Sequence, residues 1–190
     1  MIHISNDTLN RHTETLKNLG QEGNKALARA LNRAVDAGVT QAARSVSSEY
    51  YVANQKVKKT IKTKKANASN LTAGFVSAGN AIPLINFKTN PKKVPAKKPK
   101  TLLQAGVLKS GGMGSIKNAF VNKTKSGKLH VLQRTTDNAY PIQVLYGLSI
   151  PQMVGSRKIG QEIEGRAVEV LDIRVQHEID RALGAKWLIY

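Results

Sequence analysis

The stretch YPIQVLYGLSIPQMVG, residues 140–155, holds no charged side chain in a 190-residue protein of formal net charge +18. Ile142, Val144 and Tyr146 alternate along it with period two, the pattern of a strand with one apolar face. Leu145 adds an apolar side chain on the opposite face. Such a strand suits a place between helices on one side and a second covering surface on the other. Pro141 and Pro151 bound it, because proline cannot donate to a ladder. Tyr146 and Pro151 are accordingly expected to be packing residues.

Working outward, residues 119–123 and 128–134 read as a hairpin around Ser126 and Gly127, with 142–146 as a third strand. Residues 71–77, 82–87 and 102–109 are further strands, with Gly79 and Asn80 between the first two. Pro83 is confined to an edge or a strand start. Residues 55–65 read as a short helix. NPKKVPAKKPK, residues 90–100, is a loop too charged to bury. Its Lys92, Lys93, Lys97, Lys98 and Lys100 are expected to become ordered only against DNA or an acidic neighbour.

Both ends are helical by periodicity. A short helix capped by Ser5 or Asn6 should end near Gly20, after which Leu27, Leu31, Val35, Val39, Ala42 and Val46 recur at helical spacing. Ala26, Ala30, Ala34 and Ala37 run beside that stripe, and small side chains allow close approach of another element. Arg29, Arg33 and Arg44 point away from it. At the other end Ile159, Ile163, Ala167, Leu171, Val175, Ile179 and Leu183 occupy every fourth position. Each step of four advances the stripe by about 40°, hence about 240° over its length. One flat face cannot cover it, so Leu171, Val175, Ile179 and Leu183 are candidates for an assembly surface. Trp187 and Tyr190, in an apolar tail after Gly184, extend that surface.

The fold class is therefore α+β, a small mostly antiparallel sheet flanked by long N-terminal and C-terminal helices. The length fits a single domain, made of a helical arm (1–49), a basic strand-rich middle (50–156) and the last helix with its tail (157–190). The middle carries the charge. Residues 50–136 contain seventeen Lys, Arg134 and no acidic residue, which leaves twelve basic against twelve acidic residues elsewhere. A field so concentrated attracts a polyanion or an acidic surface over about 8 to 10 Å.

Other chemistries lack residues. There is no cysteine, which excludes disulfides and thiolate zinc sites. The N-terminus lacks the pattern of a signal peptide, and no apolar run approaches a membrane span. The protein is read as made in the cytoplasm. SGGMGS, residues 110–115, has neither phosphate-loop nor dinucleotide spacing. His177 and Glu178 begin a zinc-binding HExxH pattern, but Arg181 stands where its second histidine belongs. His3, His12 and His130 show no convergent spacing. The carboxylate pairs at Glu162 and Glu164, and at Glu178 and Asp180, sit on different helix faces and read as partners for Arg166, Arg174 and Arg181. No catalytic residue, metal or cofactor is assigned. Few aromatic platforms accompany the lysines, which leaves sequence-independent phosphate contact as the nucleic-acid option. A basic, sequence-independent nucleic-acid-binding protein is the alternative reading.

Residues 119–155 resemble the signature of the prophage minor tail protein Z family, the tail completion proteins of lambda-like long-tailed phages. The resemblance rests on Ala119-Phe120, Arg134, Tyr140-Pro141-Ile142, Gly147 and Ser149-Ile150-Pro151-Gln152-Met153. ALNRA (30–34) and IPLINFK (82–88) resemble the family in the same order, while Leu148 stands where the family often has proline. The resemblance implies a non-enzymatic virion protein at the head-proximal end of the tail, a homo-oligomer in a hexameric ring through which DNA passes. Its implied partners are the tail tube or tail terminator and neck proteins, with non-specific contact to packaged DNA and none to a membrane. Under it, GLSIPQMVG becomes a fixed turn leading into the last helix.

Overall fold

The computed structural model describes residues 18–97, 99–124 and 126–187. The first long helix, α1 (Gln21–Glu49), follows Gly20, whose φ of 55° glycine adopts without strain. Asn18 is still helical, but the expected start of a preceding helix at Ser5 or Asn6 lies outside the described residues. Ala26, Ala30, Ala34, Ala42 and Ala43 are buried with Leu31, Val35 and Val46, while Arg29, Arg33 and Arg44 stay exposed. The alanines thus form the contact line itself, not a flank of it.

The chain then makes α2 (Asn54–Lys59) and β1 (Ile61–Lys64). One helix was expected over 55–65. It stops at Thr60, whose hydroxyl donates to the Val57 carbonyl at 2.8 Å and pairs with Ser77 Oγ. Residues 61–64 then pair with β2 (Gly74–Ser77). After β3 (Ala81–Pro83), a 3-10 turn (Leu84–Asn86) leads to β4 (Lys88–Asn90). The strand expected over 82–87 therefore ends at Pro83, and the turn sends Leu84 and Phe87 into the core.

Next come β5 (Leu103–Gly106), β6 (Gly114–Ile116), β7 (Ala119–Lys123), β8 (Leu129–Arg134), β9 (Ile142–Val144) and β10 (Tyr146–Ser149). The α+β class holds, with every strand pairing antiparallel, but the strands divide among four small sheets: β1-β2, β10-β3, β4-β5-β6 and β7-β8-β9. The hairpin between β7 and β8 turns at Gly127, φ 75°, as its sequence requires.

Residues 142–146 form two strands in different sheets. Leu145 is the joint: its N–H donates to the Val131 carbonyl of β8, and its carbonyl accepts from the Leu84 N–H. After β10, a short helix α3 (Ile150–Val154) precedes α4 (Arg157–Trp187).

Helix α4 packs antiparallel along α1. Arg29 pairs with Glu178, Ser45 with Glu162 and Glu49 with Lys158, so one helix advances by as many residues as the other retreats. The stripe at every fourth position is buried from Ile159 to Ile179. Ile159 and Ile163 belong to one buried cluster with Val46, Phe87, Met153 and the strand residues Leu103, Val121 and Val131. Leu171, Val175 and Ile179 meet Ala26, Ala30, Ala34 and Ala66. The drift of the stripe is absorbed inside the subunit, because its neighbours change along its length. Leu171, Val175 and Ile179 are consequently core residues and not an assembly surface. Leu183 remains exposed, whereas the Trp187 side chain and Tyr190 lie outside the described residues.

Candidate functional site

Two surfaces and one junction stand out. At the junction, segments far apart in sequence fix one another. Tyr146 pairs with Pro83 and Ser149 with Ala81, and a Cβ on Gly147 would lie 2.6 Å from Phe87 Cε2. Only a residue without a side chain lets β10 cross the Phe87 ring at that distance. Ser149 and Gln152 then form a reciprocal capping box, with Pro151 in the first turn of α3, and Met153 is buried. Gly155 closes the turn by donating to the Pro151 carbonyl at 2.9 Å.

Nearby, the Arg134 guanidinium sits 4.6 Å from the centroid of the Phe120 ring, a cation–π contact across β7 and β8. On α1, Asn32 clamps a loop: its amide donates to the Ala66 carbonyl at 3.0 Å and accepts from the Ala66 N–H at 2.8 Å.

The first surface is basic. Past the C-terminus of α1, Tyr51 N–H donates to the Val107 carbonyl and Lys109 N–H to the Glu49 carbonyl, which fastens the segment after β5 to the helix end. Beside it lies a cleft of about 420 Å³ whose lining includes Tyr51, Phe87, Lys56, Lys88, Lys92 and Lys109. Lys88 Nζ lies 5.2 Å and Lys109 Nζ 5.9 Å from the Tyr51 ring centroid. Lys109 Nζ also donates to the Ser47 carbonyl at 2.6 Å, placing a cation at a helix end that has no basic residue in its own last turn. Of the loop lysines, Lys92 lines the cleft, and Lys93, Lys97 and Lys100 are exposed along the connection between β4 and β5. Lys98 lies outside the described residues.

The second surface carries exposed apolar side chains, with the exposed Arg134 opposite Ile142 in the β8–β9 ladder. Tyr140, Ile142, Tyr146 and Leu148 are exposed, Tyr140 to 76% and Tyr146 to 55%. Leu145, Gly147 and Ser149 turn inward between them, with Val144 half-buried. The expected packing role therefore falls to Gly147 and the half-buried Pro151, while Tyr146 and Tyr140 are surface residues of the subunit. Pro141 is exposed as well. The reason is the break at Leu145: β10 starts a new sheet, and Tyr146 points out of it.

Charge pairing also departs from the expected pattern within α4. Arg166 pairs with Glu169, but Glu178 and Glu162 reach across to α1. The hydrogen bond from Lys158 to Glu49, reinforced by the carboxylate charge, holds the Lys158 ammonium above its usual pKa. His177 is exposed and His130 half-buried on β8, while His3 and His12 lie outside the described residues. No group of three His, Cys, Asp or Glu among the described residues could hold a metal ion. No described helix is long and apolar enough to cross a membrane.

Residues 8–188 match the family profile described as prophage minor tail protein Z (GPZ). The chain belongs to the prophage minor tail protein Z family. It is also 30% identical over 128 residues to the tail completion protein of Escherichia phage N15, a span covering 67% of each chain. No solved structure matches it.

Within a minor tail protein Z chain, the signature segments now have physical roles. Residues 82–88 and Gly147 form one contact, Phe120 and Arg134 a second, and Asn32 of ALNRA a third. The cleft around Tyr51 was not legible. Tyr50 and Tyr51 at the start of the acid-free region were its one signal, and nothing in the sequence marks Lys88 and Lys109 as neighbours until β4 pairs with β5.

Proposed function

We propose that this protein is a non-enzymatic structural component of a phage tail, acting in tail completion. In this reading it joins copies of itself into a hexameric ring at the head-proximal end, between the tail tube or tail terminator and the neck proteins, and DNA passes through that ring. The protein is made in the host cytoplasm and carried in the virion. Membership of the minor tail protein Z family carries the reading, and the division of the surface supports it. Subunits with a net charge of +18 repel one another, so like copies meet at least cost where charge is sparse, and the exposed Tyr140, Ile142, Tyr146 and Leu148, with Arg134 as the neighbouring cation, offer such a contact. The basic middle is left for a polyanion, and the lysines that follow Lys92 in the loop, Lys93, Lys97, Lys98 and Lys100, contact DNA phosphates without reading sequence.

Mass measurement of the purified protein in solution, with and without purified tails, tests this. A closed oligomer, alone or upon addition of tails, is expected. A protein that stays monomeric under both conditions and instead binds free duplex DNA tightly at low salt, with a steep loss as salt rises, would be a dedicated nucleic-acid binder.

A further inference from the structure

The cleft beside Tyr51 has features that general DNA contact leaves unexplained. Lys56 comes from α2, Lys88 from β4, Lys92 from the following loop and Lys109 from beyond β5, yet all four line one concavity with no carboxylate among its lining residues. Glu49, the acidic side chain next to it in sequence, is taken by Lys158. Four lysines lining one cleft without a carboxylate give it a positive potential that attracts an anion. The base of the cleft is part of the core: Tyr50, Val52 and Phe87, which help to line it, are buried.

The shape selects the anion. At about 420 Å³ the cleft falls in the range of roughly 300 to 1,000 Å³ typical of sites for small ligands or a few side chains. Duplex DNA, whose major groove alone is about 12 Å wide, can touch the rim but not enter. A single strand would need a free aromatic face for its bases, and the Tyr51 ring already carries Lys88 and Lys109. Carboxylates on short flexible stems can enter such a cleft and reach its lysines.

We infer that this cleft is a docking site for an acidic segment of a partner protein, with Asp or Glu side chains held by Lys56, Lys88, Lys92 and Lys109 around Tyr51. The inference rests on the cleft alone and requires neither the ring nor the passage of DNA.

The test uses the free full-length protein and a hexaglutamate peptide at low salt, with binding followed by calorimetry and by NMR shifts of the Tyr51 ring. Saturable binding with movement of Tyr51 is expected. Lys56→Gln with Lys88→Gln should weaken it by about tenfold, as loss of two charge contacts in a partly shielded site does. Lys62→Gln with Lys64→Gln, which removes the same charge from β1, should change it by less than about twofold. Lys109 is kept in both variants because it also holds the end of α1, and melting midpoints verify that each variant folds. Equal weakening by the two pairs would mean diffuse attraction and overturn the site. So would a short duplex DNA that moves Tyr51 when hexaglutamate does not, which would assign the cleft to nucleic acid. Failure of ring assembly in the presence of tails would leave this result untouched, so the two proposals fail separately.

Discussion

Arg29 of α1 donates from Nε to Glu178 Oε2 of α4 at 2.6 Å, across 149 positions of sequence. The two ends of this bond sit in different surroundings: the Glu178 side chain is only 12% exposed, that of Arg29 44%. The pair closes the far end of a helix pair whose near end is held by Glu49 and Lys158. It lies beside Ile179, where the buried stripe ends.

That asymmetry predicts unequal costs. Arg29→Met leaves a carboxylate largely out of water without its donor, and should destabilise by about 1 to 2 kcal/mol. Glu178→Gln leaves an arginine that water can reach and should cost under about 1 kcal/mol. Urea unfolding of the two variants under the same buffer checks the order. Equal losses would mean that the pair acts as a surface bridge.

Leu171 decides whether the last helix serves the core or an assembly. It is fully buried against the alanines of α1. Leu171→Ala should cost about 2 to 5 kcal/mol, the transfer energy lost plus the cavity left. The loss should be independent of protein concentration, measured on monomers. A loss that appears only at concentrations where oligomers form would return the residue to an interface.

The two long helices, of 29 and 31 residues, were legible because their stripes, Leu27 to Val46 and Ile159 to Leu183, are long enough for periodicity to settle the type, though α4 continues past Gly184, where the sequence reads as a tail. What covers a stripe was not legible. A period of four implies a rotating face, but whether a second copy or a change of neighbours follows that rotation depends on tertiary packing. The division of strands into four sheets was hidden for a similar reason. Residues 142–146 read as one strand because alternation continues past Leu145, and the switch of partner from β8 to β3 leaves no mark in side-chain pattern. Of the sites, Gly147 and the turn at Ser149 could be located only through the resemblance to the family. The Tyr51 cleft could not, since β-pairing assembles it from residues with no local pattern.

Gly147 and Phe87 should behave as one unit. Gly147→Ala places a methyl 2.6 Å from a ring that is itself almost fully buried, and overpacking of this kind costs about 1 to 3 kcal/mol. Adding Phe87→Leu makes room, so the double variant should lose less than the sum of the two single ones. Additive losses in thermal or urea unfolding would show that the glycine is needed for another reason.

Lys158 gives a dependence on pH. Its pKa is raised by Glu49 above the ordinary 10.5, so its contribution to stability is fully present below that ordinary value and is lost as pH rises through the folded one. The difference in melting midpoint between the wild-type protein and Lys158→Met should be constant through neutral and mildly alkaline pH. It should then shrink in the strongly alkaline range. A difference that stays the same throughout would mean that the ammonium charge plays no part.

Tyr146 separates folding from assembly. It is more than half exposed on a strand whose inward positions are Gly147 and Ser149. Tyr146→Asp should therefore shift stability by no more than about 0.5 kcal/mol, as surface substitutions away from special features do. If these exposed apolar residues join copies, a carboxylate buried among them at each contact is strongly unfavourable. Assembly should then be lost while the monomer melts as before, with mass in solution and attachment to purified tails as the readouts. Leu148→Asp, two positions along the same face, should do the same, whereas Val76→Asp on the exposed side of β2 should not. If both face variants assemble normally, the subunit contact lies elsewhere; if Tyr146→Asp unfolds the monomer, the ring supports the fold of its own chain.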